Sequence, residues 1–124
     1  MGDVVITWDG GRRERLTRGA HAEQAKLGPG GLIGWTWAKE RYQELWVNEH
    51  LRVQRGKHLL FEVKSGKPFI EDWAFVTEGV MVKSRATHGP AWIELFSLST
   101  GKQIELITKA YTDDLPPWAK PFAD

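Results

Sequence analysis

The sequence predicts an all-β domain, an antiparallel up-and-down sheet of about eight to ten strands, barrel-like or folded as a sandwich. Two observations carry this expectation. Glycine-marked turns recur along the chain, and the segments flanking them alternate apolar and polar residues with period two.

The turns come first. Ile6-Thr7-Trp8-Asp9-Gly10-Gly11-Arg12 runs from an alternating strand through turn residues to glycine and a base. Phe61-Glu62-Val63-Lys64-Ser65-Gly66-Lys67 and Phe96-Ser97-Leu98-Ser99-Thr100-Gly101-Lys102 repeat the pattern. A short hairpin loop needs a residue at positive φ, which glycine supplies without steric cost. Arg12 to Thr17 is then the return strand of the first hairpin. Around the other two, Leu59, Phe61 and Val63 share a face, as do Val80 and Val82, Ile93 and Leu95, and Ile104 and Leu106. Ala86-Thr87-His88-Gly89-Pro90 is a further loop between strands.

Trp37 to Val53 is ambiguous. Ala38-Lys39-Glu40-Arg41-Tyr42-Gln43-Glu44-Leu45 is rich in helix formers, whereas Trp35/Trp37 and Leu45/Val47 fit alternation. Two strands around a polar turn near Lys39 to Arg41 are expected over one short helix within residues 38 to 50. Residues 18 to 30 read as loop, with Gly28-Pro29-Gly30-Gly31 as a turn. The tail from Asp113 to Phe122 carries Pro116, Pro117 and Pro121, which bar a central strand or helix interior. The expected organisation is a single β domain over residues 1–112. A proline-rich extended tail, 113–124, docks on it through Trp118 and Phe122.

Composition narrows the function classes. The 124 residues suit one domain with a real core, and 41% hydrophobic with 27% charged residues is ordinary globular usage. No cysteine is present, so disulfides, thiol catalysis and cysteine-based zinc sites are excluded. A net charge of +1 gives no bulk argument for nucleic acid or a membrane surface. The longest apolar run is about four residues, against the ~20 that cross a bilayer as a helix. The start of the chain lacks a basic and apolar secretion signal, which leads to the expectation of a cytoplasmic protein.

Motifs for chemistry are sparse. The chain has no nucleophile elbow, P-loop or dinucleotide fingerprint. His21, His50, His58 and His88 lack the local spacing of metal ligands, although His50 and His58 could meet across a sheet. No metal, cofactor or catalytic residue is therefore assigned. Arg12, Arg13, Arg15 and Arg18 form a basic cluster with Glu14 inside it, read as a charged edge strand.

The richest constellation is aromatic and acidic. Alternation places Phe69, Glu71, Trp73 and Phe75 on one face, and Trp92, Glu94 and Phe96 on another. Trp35 and Trp37 add two more of the seven tryptophans. Aromatic faces beside a carboxylate suit a cation or an amphipathic small molecule. The plainer alternative puts Glu71 and Glu94 on a solvated face, paired with Lys83 or Arg85. The expected function is non-catalytic binding of a cationic or amphipathic small molecule by Trp35, Trp37, Phe69, Glu71, Trp73, Phe75, Trp92 and Glu94. The second expectation is a protein-interaction module, as a homo-oligomer or with a partner, through exposed aromatics. The third is a small hydrolase or isomerase using Glu71, Asp72 or Glu94 as a raised-pKa acid or base.

Overall fold

The computed structural model describes residues 2–42, 44–65, 69–86 and 89–124. The turn at Gly66 and the loop residue His88 lie outside them. The chain begins with a hairpin of β1 (Val5–Thr7) and β2 (Arg13–Arg15), turning through Gly10 and Gly11 at positive φ. It continues through β3 (Ala22–Leu27), β4 (Leu32–Trp37), β5 (Arg41–Tyr42), β6 (Leu45–Trp46), β7 (His50–Arg55) and β8 (His58–Lys64). A second run follows: β9 (Phe69–Val76), β10 (Gly79–Arg85), β11 (Trp92–Phe96) and β12 (Gln103–Ile107).

Two antiparallel four-stranded sheets result, β3-β4-β7-β8 and β12-β11-β10-β9. Their inner faces meet. Leu51 and Val53 of β7 and Phe61 of β8 pack on Ile70, Trp73, Val80, Val82 and Phe96 of the second sheet. The Trp73 ring fits because β4 carries Gly34 opposite it; a Cβ there would stand 2.6 Å from Trp73 Cη2. The sheets are laced at one edge, where β3 passes β9. Trp73 Nε1–H donates to the Gln24 carbonyl at 2.8 Å, and Gln24 Nε2 donates to the Glu71 carbonyl at 3.2 Å. Lys26 Nζ reaches Asp72 Oδ1 at 3.0 Å and the Trp73 carbonyl.

The far edges, β8 and β12, share no backbone ladder among the described residues, so the fold is sandwich-like rather than a closed barrel. Ile104 and Leu106 of β12 stay 57% and 43% exposed there. No helix among the described residues is long and apolar enough to cross a membrane.

Each sheet also has a covered outer face. The β1–β2 hairpin brings Val4, Ile6 and Leu16 against Ile33 and Trp35 of the first sheet. The tail lays Leu115, Trp118, Ala119 and Phe122 on Met81, Ile93 and Ile107 of the second. Trp118 Nε1–H donates to Glu105 Oε2 at 3.2 Å, and the Asp124 amide donates to the Ala110 carbonyl at 3.0 Å.

Several expectations need correction. Residues 18 to 30 are not all loop, because β3 occupies Ala22–Leu27. Its register shifts between Glu23 and Lys26, and Gln24 sits at φ 50, so the alternation signal is broken. The Gly28–Gly31 turn is present as a 3-10 turn over Pro29–Gly31. The segment from 38 to 50 holds no helix among the described residues. Arg41 and Tyr42 pair with Trp46 and Leu45, so Arg41 is strand rather than part of the turn expected at Lys39 to Arg41. The tail is not extended: its prolines open turns, with Ala119 and Lys120 amides donating to the Pro116 carbonyl, and a 3-10 turn over Lys120–Phe122. His50 and His58 do not meet, since they pair with Lys64 and Arg55 at opposite ends of the β7–β8 ladder.

Candidate functional site

The strand register decides where each candidate residue points. Lys83 pairs with Asp72, but its neighbour Ser84 pairs with Ile70, so Glu71 is an extra residue in a β-bulge. The bulge breaks the expected shared face of Phe69, Glu71, Trp73 and Phe75. Trp73 is fully buried in the inter-sheet core, with the Phe75 ring edge-on at 5.0 Å. Phe69 lies opposite Arg85 at the start of β9. Glu71 joins the charged groups beside the tail.

There Glu71 Oε1 accepts from Arg85 Nε at 2.8 Å, and Oε2 lies 3.3 Å from Lys83 Nζ. Asp124 Oδ1 lies 2.9 Å from the same ammonium and also takes Arg85 Nη2. The hydrogen bond from Arg85 holds the Glu71 carboxyl below its usual range. The Lys83 hydrogen bond pulls Asp124 down to about 2. Both shifts favour the charged, folded form, so the stability they bring is present above pH ~4 and lost as pH falls toward ~2. Melting temperature should drop over that window. Asp124→Asn should lower the neutral-pH melting temperature and flatten the acid limb; an unchanged acid limb would show that the cluster does not hold the tail.

Glu94 has the opposite environment. It stands on the inner face of β11 at 9% exposure, with Oε1 buried and unpartnered. Burial pushes its carboxyl pKa up. Trp92 pairs with Ser84 two residues away. Val82, fully buried, lies in register between Trp73 and Glu94. The plainer alternative therefore describes Glu71, which pairs with both Lys83 and Arg85, but not Glu94.

The remaining pair, Trp35 and Trp37, lines a recess. It holds about 340 Å³ between the outer face of the first sheet and the segment after β2, and is lined by Leu16, Thr17, Ala20, Trp35, Trp37, Arg52 and Glu62. Trp35, Arg52 and Glu62 are successive cross-strand partners on β4, β7 and β8, which sets ring, cation and carboxylate in one row. Arg52 Nη1 donates to Glu62 Oε1 at 2.7 Å and Nε to Gln54 Oε1 at 3.1 Å, with the guanidinium 6.0 Å from the Trp35 ring centre. Trp37 is half-buried and stacked on His50 at 4.3 Å, and desolvation lowers the His50 pKa. Thr17 Oγ is engaged with Asp3 and the Val4 amide, which fixes that wall.

Chemically, the recess offers aromatic surface and an ion pair about one-third exposed. The fold and this recess define a sandwich-like all-β domain with an aromatic, charge-paired groove between its first sheet and the segment after β2. No protein-family model, curated protein or solved structure matches the chain. Arg52 and Glu62 escaped sequence reasoning because only the register of three strands brings them to Trp35.

Proposed function

We propose that this domain is a non-catalytic binding module for a small amphipathic molecule, held in the recess between the outer face of the first sheet and the segment after β2. The carrying observation is the row of Trp35, Arg52 and Glu62 flanked by Trp37 in a space of about 340 Å³. That volume lies in the range of small-molecule sites, about 300–1,000 Å³. Apolar walls with a few placed polar groups are what such sites use to fix orientation. Neither Glu71, paired with two cations, nor Glu94, buried between the sheets, lines this recess.

The test uses 8-anilinonaphthalene-1-sulfonate, a planar amphipath whose emission rises on leaving water. Saturable binding to the folded protein is expected. Trp37→Ala should weaken it about tenfold, since a buried aromatic contact contributes roughly 1–2 kcal/mol. Trp8→Ala, on the exposed first hairpin, should leave it unchanged. Absence of saturation, or equal binding by Trp37→Ala, would overturn the proposal.

A further inference from the structure

The Arg52–Glu62 pair has an unusual economy of contacts. A guanidinium and a carboxylate can join through two parallel hydrogen bonds. Here they share one, from Nη1 to Oε1. Nε is spent on Gln54, while Arg52 Nη2 and Glu62 Oε2 have no hydrogen-bond partner among the described residues. Both side chains are about one-third exposed and line the recess. The site thus presents one open cationic edge and one open anionic edge, side by side, next to two indole rings.

A ligand bearing a single charge satisfies only one of these edges and sets its charge against the like-charged partner. A ligand with both charged groups attached to one carbon satisfies both. From this geometry we infer that the recess selects small aromatic zwitterions, compounds of the aromatic α-amino acid type. The ligand carboxylate meets Arg52 Nη2, its ammonium meets Glu62 Oε2, and its ring lies against Trp37 and the edge of Trp35. This inference rests on the binding function proposed above and names its ligand class.

Four phenyl compounds separate the terms: phenylalanine, phenethylamine, 3-phenylpropanoate and 2-phenylethanol. All four leave tryptophan excitation at long wavelength clear, so quenching or enhancement of protein fluorescence reports occupancy. Phenylalanine is expected to bind about tenfold more tightly than either singly charged compound, the worth of one added charge-assisted hydrogen bond. The variants should cross over. Arg52→Gln should weaken phenylalanine and 3-phenylpropanoate while sparing phenethylamine. Glu62→Gln should weaken phenylalanine and phenethylamine while sparing 3-phenylpropanoate. A purely structural ion pair would weaken all four compounds alike. If Arg52→Gln does not fold, Arg52→Lys keeps the charge, loses the second N–H, and should still reduce the preference for phenylalanine.

Equal binding of all four compounds would overturn the zwitterion inference and leave the amphipath-binding function standing. Tightest binding by phenethylamine alone would replace it with a cation site. No response to any of the four, with the naphthalene dye still bound at Trp37, would limit the recess to larger apolar ligands and overturn the inference. Failure of the dye as well would remove the binding function itself.

Discussion

Gly79→Ala is expected to cost ~3 kcal/mol or more, beyond the usual strain of a single unfavourable backbone conformation. Gly79 opens β10 with φ 152, and a Cβ there would stand 2.2 Å from the Phe96 carbonyl oxygen. The obstacle is backbone in the neighbouring strand, so no rotamer change relieves it. Either β10 and β11 part at their end or the β9–β10 turn is remade. Gly10→Ala makes the comparison, since Gly10 also has positive φ but nothing within 4 Å of its absent Cβ. That change should cost only the conformational term, about 1–2 kcal/mol. Denaturant unfolding of both variants measures the difference. Equal losses would mean that the Phe96 carbonyl does not confine Gly79.

Trp73→Ala should be of similar or greater severity, about 3–5 kcal/mol, as for large aromatic truncations in well-packed cores. Trp73 is fully buried in the inter-sheet core, and its N–H ties β9 to the Gln24 carbonyl on β3. The Lys26 ammonium lies 5.5 Å from its ring centre. Truncation leaves a void beside Gly34 and strands the Gln24 carbonyl without that donor. Trp73→Phe, which restores most of the volume but not the N–H, should recover part of the loss and leave about 1 kcal/mol or more. A stable Trp73→Ala variant that has lost ligand binding would instead place Trp73 in a pocket and refute the core assignment.

The same residue shows what sequence could and could not reveal. Strands β10 and β11 were legible because Val80 and Val82, and Ile93 and Leu95, recur at period two with no bulge between them. β9 was legible as a strand but not by face. One extra residue at Glu71 exchanges the faces of everything before it relative to everything after it, and no residue type marks the spot. β3 was hidden for a related reason: Glu23, Gln24 and Lys26 look like loop, and the use of Gln24 and Lys26 as ties to β9 is a tertiary property. The recess was legible only in its aromatic half. Trp35 and Trp37 stood out by composition, but Arg52 and Glu62 become their neighbours through the β4–β7–β8 register, which a linear reading does not contain.

The tail has a consequence for how the molecule comes into being. Met81 and Ile93 lie on the face that Leu115, Trp118, Ala119 and Phe122 cover. During vectorial synthesis β10 and β11 leave the ribosome before that cover exists. A nascent chain ending near β12 therefore presents a sheet greasy on both sides, one face seeking the first sheet and the other still bare. Sequestration of that bare face by a chaperone should end when Leu115 to Phe122 emerge and cover it.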